Sequence, residues 1–569
     1  MAKMNETGRI KLTFFVFFVS FLAVIFRLGW WQIYQKEPLS AQAENQRWEE
    51  KTVPAKRGEI FFTDQHPLAL SLPFYNLFAF KPELKIDFNV LGEKLSDLLE
   101  TDRQKKEILK NSIVEKLNQP PLWIPLSEKI EPDQKKAIEH LGINGLHFEE
   151  KFNRFYPEAS QAAHLLGFVG KNEEGEDRGY FGLEGFYEED LRGEEGKIIQ
   201  ENDALGRPIV LGNNYEIPPK NGSNLVLFLD RQLQWLAEKK LEEGVKRYGA
   251  KEGLVIISSP KEGSILALSA FPDFDPNEYS QTDPLLFLNP AISATFEPGS
   301  IFKPLIMAIA LENQAVTPET TCPCEGPLEI GEYSISTWNN QYYPKSTMTE
   351  VIQHSDNVGM AFVAQKLGLE KTLNGLEKFG FGKITGIDLQ GEISPALREA
   401  KYWSPIDLAT LGFGQGIAIT PIQMVQAMGV IANNGKMASP RVVASIINQG
   451  GNQEVSPKEE QKVISSKTAQ EITKMMVNAV DHGEAKWTKI EGAKIAGKTG
   501  TAQIPISGHY DPEKTVASFI GFAPADNPQF LMLITLREPT TSPWASETAA
   551  PLWFEIAREI FTIKGINPK

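Results

Sequence analysis

A serine and a lysine stand three residues apart in Glu297-Pro298-Gly299-Ser300-Ile301-Phe302-Lys303-Pro304, at the head of the apolar run 305–311. On a helix, positions i and i+3 share a face, so Lys303 can lie over Ser300. Pro304 falls in the first turn, where the N–H it lacks has little helical use. A run that is apolar all round marks the helix as buried. A hydroxyl and an amine so placed are a candidate nucleophile with its base. Two other groupings could complete such a site. Ser355-Asp356-Asn357 offers a second hydroxyl and a carboxamide two residues apart, able to face one cleft if the chain turns there. The same three residue types are also common helix caps. In Lys498-Thr499-Gly500-Thr501 the cation and a hydroxyl can receive a carboxylate, and the glycine lets a substrate backbone approach. On a strand Lys498 and Gly500 would point to one face, and Thr499 and Thr501 to the other. An ordinary edge strand with a solvated lysine has the same composition.

Ser-x-x-Lys also occurs at Ser258 and Lys261. There Pro260 intervenes, and the strand-like segments 254–257 and 264–268 flank the pair. A β-hairpin turn is the reading, with no shared helix face. Ser-x-Asn and Lys-Thr-Gly each occur once.

The elements that must position these groups follow from periodicity. Residues 224–230 read as a strand and 232–248 as an amphipathic helix. Helical patterns cover 349–367, 369–379, 420–433 and 467–480. Strand patterns cover 494–503, 517–523 and 529–536, and a helix over 550–561 closes the chain. Glycine-rich loops lie at 379–382 and 412–416. Strands at both ends with helices between them predict a sheet flanked by a helical region. Upstream, 89–117 and 132–141 read as polar helical stretches. Between Ala41 and Gly222 stand islands without evident chemistry: Arg57-Gly58-Glu59-Ile60, Arg154-Phe155-Tyr156-Pro157, His164-Leu165-Leu166-Gly167, Gly182-Leu183-Glu184-Gly185 and Asp203-Ala204-Leu205-Gly206-Arg207. Their glycines suggest tight turns and strand crossings, so a structural role is expected for each. A turn-rich boundary follows at 218–223.

At 569 residues the chain is too long for one ordinary domain. Its 58 basic against 73 acidic residues, net −15, argue against nucleic-acid binding. Cys322 and Cys324 are the only cysteines. One intervening residue is unfavourable for a relaxed disulfide, and without a nearby histidine the pair cannot complete a zinc site. Neither role is expected. Low cysteine use suits an extracytoplasmic location. Lys3, Arg9 and Lys11 precede the apolar run 12–26; extended through Arg27, Trp30 and Trp31 to Ile33, it can span a bilayer, with the basic residues on the cytoplasmic side. Ala41-Gln42-Ala43 resembles a signal-cleavage site but lies too far beyond the run, so an uncleaved anchor is expected.

The order Ser-x-x-Lys, Ser-x-Asn, Lys-Thr-Gly is the signature of serine penicillin-recognising enzymes. With its surroundings, the chain resembles a class B penicillin-binding protein, a monofunctional peptidoglycan D,D-transpeptidase of the cell-division or elongation type, over nearly its whole length. The resemblance extends through Arg57-Gly58-x-Ile60, Arg154-x-Tyr156-Pro157, Gly182-Leu183-Glu184, Asp275-Pro276-Asn277, Gly414-Gln415-Gly416 and 498–503. Three segments depart from the family pattern: Phe62-Thr63-Asp64-Gln65 where an Asp-Arg-Asn-Gly turn is usual, Asn289-Pro290-Ala291 for Asn-Arg-Ala, and 539–548, which lacks the customary glycines.

The resemblance implies an α+β, sandwich-like transpeptidase domain with a central antiparallel sheet and a helical subdomain. A mixed α/β pedestal and one transmembrane helix would precede it. The limits read as 1–11 cytoplasmic, 12–33 anchor, 34–222 pedestal of the dimerisation type and 223–569 catalytic. It implies that Ser300 attacks the carbonyl between two terminal D-alanines, with Lys303 taking its proton. Lys303 must then be neutral, which burial and the nearby Lys498 favour. Ser355 would relay a proton to the leaving D-alanine and Asn357 would bond the substrate amide. Lys498 and the hydroxyls of Thr499 and Thr501 would hold the carboxylate, with Gly500 between them. The N–H groups of Ser300 and Thr501 would form the oxyanion hole. Asp356 serves as spacing. Implied partners are peptidoglycan stem peptides, β-lactams, a membrane glycosyltransferase and other proteins of the division or elongation machinery; no metal or cofactor is called for. A β-lactamase or D,D-carboxypeptidase uses the same motifs with water as acceptor, but the large pedestal and anchor argue against both. No Glu-Asp-x-x-Phe motif of a bifunctional synthase precedes Gly222. A non-catalytic scaffold that recruits a glycosyltransferase has no need of the three motifs.

Overall fold

A computed structural model describes residues 6–40, 48–202, 209, 214–457, 460–506 and 509–567. Lys3, Ala41-Gln42-Ala43 and the 203–207 island lie outside the described residues. The chain divides into two compact units, one of Met1–Lys56 with Gly193–Asn221, the other of Arg57–Arg192 with Gly222–Lys569.

In the first unit, helix α1 (Glu6–Gly29) continues as a π turn through Trp30–Tyr34. The 28 residues Thr7–Tyr34 are long and apolar enough to cross a membrane. Arg27 lies 4.9 Å from the centroid of the Trp31 ring. A three-stranded antiparallel sheet joins Trp48–Val53, Gly196–Glu201 and Asn214–Ile217, with the second in the middle.

The second unit holds two large sheets. One has seven strands and is mixed: Pro67–Phe80 pairs with both Trp123–Ile130 and Leu146–Phe155, and Ile60–Phe61 runs parallel to Asn224–Leu227. Asn224–Leu227 in turn pairs with Val443–Asn448. The predicted helix over 89–117 is two helices, Phe88–Leu99 and Arg103–Leu117. Asp87 and Asp102 each accept two backbone N–H bonds at a helix start. The cap at Asp102 breaks one periodic pattern into two elements.

The other sheet is fully antiparallel. After helix α2 (Arg231–Tyr248) come β1 (Glu252–Ser258) and β2 (Ile265–Phe271), the expected hairpin. The helical part includes α3 (Lys303–Glu312), α4 (Met348–Gln353), α5 (Asn357–Leu367), α6 (Pro421–Ala432) and α7 (Ser466–His482), with Leu369–Lys378 and Pro405–Leu411 between α5 and α6. The chain returns as β3 (Ala496–Ile506), β4 (His509–Ala523) and β5 (Phe530–Arg537), then ends in α8 (Ala549–Ile563). The strand order is β2-β1-β5-β4-β3. Successive strand residues face opposite sides. Thus Val255 and Ile257 join α2 and α8 in one core, while Leu254 and Ile256 join α3, α6 and α7 in the other. Burial on both faces explains why these strands read as continuous apolar runs. Trp553 of α8 is fully buried and donates its indole N–H to Met532 O at 2.9 Å.

Cys322 and Cys324 form a disulfide, against the sequence expectation. Pro323 and a positive φ of 43° at Cys324 turn the chain within one residue, which holds the two Cα atoms 5.3 Å apart, inside the usual range for a bridge.

Candidate active site

Ser300 lies in a 3₁₀ turn, Gly299–Phe302, that leads into α3. The turn is fixed from outside. Gly299 has φ of 56° and donates its N–H to Gly414 O at 3.0 Å; a β-carbon there would meet that of Ala502 at 3.1 Å. Glu297 accepts from Gly416 N at 3.2 Å and from the Tyr510 hydroxyl at 3.1 Å. Burial pushes the Glu297 carboxyl up, and burial with Glu297 nearby pushes the Tyr510 phenol up to about 12.

Ser355 sits where the sequence predicted one helix over 349–367. The chain breaks there instead: α4 ends, Ser355 adopts φ of 54°, and Asp356 caps α5 by accepting from Val358 N and Gly359 N at 2.8 and 3.1 Å. Positive φ at a non-glycine residue is uncommon and clusters at functional sites. Asp356 is thus the capping residue, and the turn it stabilises aims its two neighbours into the cleft.

The three motifs converge. Lys303 Nζ donates to Ser355 O at 2.5 Å, Ser355 Oγ at 3.2 Å and Asn357 Oδ1 at 2.8 Å. Lys498 Nζ donates to Ser355 Oγ at 2.9 Å and to O and Oγ1 of Thr499 at 3.1 and 3.2 Å. The Ser355 hydroxyl therefore bridges two amines. Asn357 spends one amide hydrogen on Ser336 O. Lys303 and Lys498 are only 0% and 3% exposed. Burial, and then the charge of Lys498, lowers the Lys303 pKa to about 7, while Glu484 and Asp356 oppose the drop. Burial also lowers that of Lys498, against Glu484.

These amines lie beneath a cavity of about 80 Å³, bordered by Ser300, Ser355, Asn357, Thr499 and Thr501. Lys303 is not hydrogen-bonded to Ser300; its nitrogen turns to the second motif. The strand alternation is as predicted, but Gly500 serves another backbone than expected. A β-carbon there would meet Ile301 N at 2.9 Å and Ile301 Cγ2 at 2.8 Å, so β3 packs against the Ser300 turn rather than against a substrate. The second Ser-x-x-Lys is the predicted turn: Ser258 ends β1, and Lys261 bonds Asn527 at 2.8 Å.

Beyond the three motifs and Gly299, five further residues border the cleft. Phe413 and Gln415 belong to the glycine-rich loop 412–416, and Trp544 to the rim segment 539–548. Its ring centroid lies 5.2 Å from that of Trp338, and the neighbouring Ala545 donates its N–H to Thr501 Oγ1 at 3.0 Å. Trp338 and Glu484 gave no sequence signal. Glu484 accepts from Thr499 Oγ1 at 3.1 Å.

The upstream islands also find their use. Arg57 and Arg154 both hold the buried Glu184, at 2.7 and 2.6 Å. The Tyr156 hydroxyl donates to Glu184 Oε1 at 3.2 Å. Asn277 of the Asp-Pro-Asn motif exchanges two hydrogen bonds with the backbone of Tyr156. Asn289, in the departing Asn-Pro-Ala, bonds His164 O at 3.1 Å.

The family model for the penicillin binding protein transpeptidase domain matches residues 253–562, and that for the penicillin-binding protein dimerisation domain matches 52–227. The chain is 32% identical to the stage V sporulation protein D of Bacillus subtilis, over 99% of this chain and 87% of that one. It is 27% identical to the peptidoglycan D,D-transpeptidase FtsI of Escherichia coli, over 96% and 91%. Its fold matches that of penicillin binding protein 3 of Mycobacterium tuberculosis complexed with ampicillin, with a TM-score of 0.69 and 25% identity over 91% and 97% of the two chains. With both domain types matched in order and a relative of this identity over nearly its full length, the chain belongs to the class B penicillin-binding proteins, the monofunctional peptidoglycan D,D-transpeptidases.

Proposed function

We propose that Ser300 is the nucleophile that this D,D-transpeptidase uses to cleave the terminal D-alanine from a donor stem peptide and form an acyl-enzyme. Neutral Lys303 takes the hydroxyl proton, and Ser355 passes a proton to the departing amine. Asn357 bonds the donor's amide with its remaining hydrogen. The hydroxyls of Thr499 and Thr501 meet the donor carboxylate at the cleft wall, with the charge of Lys498 beneath them. The N–H groups of Ser300 and Thr501 receive the developing oxyanion. The amine of a second stem peptide then attacks the acyl carbonyl and makes the cross-link. A β-lactam enters as a donor mimic and stays on Ser300. Gly500 contributes by letting β3 close on the nucleophile's turn.

The observation that carries this reading is the Ser355 hydroxyl held between two buried amines beside Ser300. The decisive experiment labels the full chain in detergent with a fluorescent penicillin. Labelling is expected for the native protein and absent for Ser300→Ala. Labelling that survives the substitution, or a native protein that never labels, overturns the assignment.

In this reading residues 12–33 anchor the chain with its N-terminus in the cytoplasm, 34–222 form the pedestal and 223–569 the extracytoplasmic catalytic domain. The apolar helix and the basic residues before it support that orientation. The pedestal recruits a membrane glycosyltransferase, which family likeness supports. Failure of the intact chain to co-purify with one from its own membranes counts against recruitment.

A further inference from the structure

Glu484 stands two residues beyond the end of α7, half-buried, and borders the cleft together with Ser300, Thr499 and Thr501. Its Oε2 accepts the hydrogen of Thr499 Oγ1 at 3.1 Å, and the same Thr499 oxygen accepts from Lys498 Nζ at 3.2 Å. A hydroxyl has a single hydrogen. While Thr499 donates to Glu484, it has none to give to an anion in the cleft. Asp356, the other carboxylate whose charge reaches Lys303, spends Oδ1 on the α5 cap and leaves Oδ2 buried without a hydrogen-bond partner. Buried cations require a counter-charge, and for Lys498 Glu484 supplies it. Its charge acts on both lysines, opposing the effect of burial.

We propose that Glu484 is a specificity-determining residue: in the free enzyme it is the resident anion of the Lys498–Thr499 site, and a donor or β-lactam carboxylate binds by taking the Thr499 hydrogen over from it. This rests on the carboxylate pocket of the preceding section. Two carboxylates drawn to one cation disfavour each other. The resident therefore weakens every anionic ligand and leaves neutral ones unaffected. A partly exposed pair of like charges a few ångströms apart makes the effect about tenfold in binding.

The test compares benzylpenicillin with its methyl ester on the full chain in detergent at pH 8.5, where Lys303 is neutral in either protein. Acylation followed over a range of ligand concentrations separates the dissociation constant of the first complex from the rate constant of acylation. In the native chain the acid binds more tightly than the ester. Glu484→Gln should tighten the acid about tenfold and leave the ester and both acylation rate constants within about threefold. Glu484→Asp, which keeps the charge, should hold the native acid-to-ester ratio. Glu484→Thr offers a second neutral variant if the glutamine protein does not fold. Equal binding of acid and ester by the native chain overturns the carboxylate pocket itself. A preserved pocket with an unchanged ratio in the neutral variants overturns the role of Glu484 alone. So does a change that is the same for acid and ester, which assigns Glu484 to structure.

Discussion

Lys303 is a base because of where it is buried. In water its amine would be protonated, and no hydroxyl could hand it a proton. Enclosure, with the like charge of Lys498 near, brings its pKa to about 7. The sign is direct: below that value the ammonium predominates and cannot accept, and above it the free amine can. Acylation of Ser300 by benzylpenicillin is therefore expected to rise about tenfold per pH unit below 7 and to level off above it, as read from stopped-flow rates between pH 5.5 and 9. Lys498→Gln removes the like charge, so its acid limb should move to higher pH. A profile flat through pH 7 would contradict Lys303 as base. The three acceptors around Nζ suit the ammonium; a neutral amine has two hydrogens, so one contact must reverse, and the Ser355 hydroxyl can be the donor.

At the scale of elements, two junctions place these side chains. Asp356 stops one helix from running through the second motif and starts the next. Asp356→Ala should cost about 1–2 kcal/mol in urea unfolding, as loss of a helix cap does, and should slow acylation by freeing the Ser355 turn. Asp356→Asn can still accept the two N–H bonds and should lie close to the native protein in both measurements. The second junction is the contact of β3 with the 3₁₀ turn of Ser300. In Gly500→Ala the added methyl would press on Ile301 N and Cγ2, and the nucleophile's turn must shift. A misplacement of about 1 Å in a reacting group can cost about a hundredfold and this shift is smaller, so an acylation rate down about tenfold is expected, with the fold retained by circular dichroism.

Across the whole molecule, the upstream residues do not stand apart from the catalytic ones. Ile60–Phe61 continues the sheet of Asn224–Leu227 and Val443–Asn448, and Glu184 binds Arg57, just before that strand, and Arg154, in the strand Leu146–Phe155. Burial alone would raise the Glu184 pKa, but Arg154 and Arg57 outweigh it and hold the carboxylate below its ordinary range. Its stabilisation is present at neutral pH and is lost as pH falls through that lowered value. Glu184→Gln takes the shared anion from two buried guanidinium groups and leaves Arg57 with Glu188 alone, at 2.7 Å, which should cost about 3 kcal/mol in chemical unfolding. Because the cluster lies outside the cleft, penicillin labelling of the still-folded variant at low temperature should persist. Labelling lost from a protein of native stability would instead place Glu184 in the site.

Much was legible along the chain because it depends on local order. The nucleophile motif, the unique Ser-x-Asn and Lys-Thr-Gly, the apolar N-terminal helix and the two-sided apolar strands are all contiguous patterns, and Pro260 with its flanking strand patterns separated Ser258 in its turn from Ser300 at the head of a helix. What a linear pattern does not carry is which distant groups share a cavity. Only the folded chain brings Glu484, from the end of α7, to the hydroxyl of Thr499, or sets Trp338 against Trp544 across more than two hundred residues. Only it turns three silent islands into one buried Arg-Glu-Arg cluster, and closes Cys322 on Cys324 through a left-handed residue that spacing could not foresee. The chemistry of each group belongs to the sequence; its charge state, its partners and the position that Gly500 must leave empty are set by burial and by contacts between elements far apart in the chain.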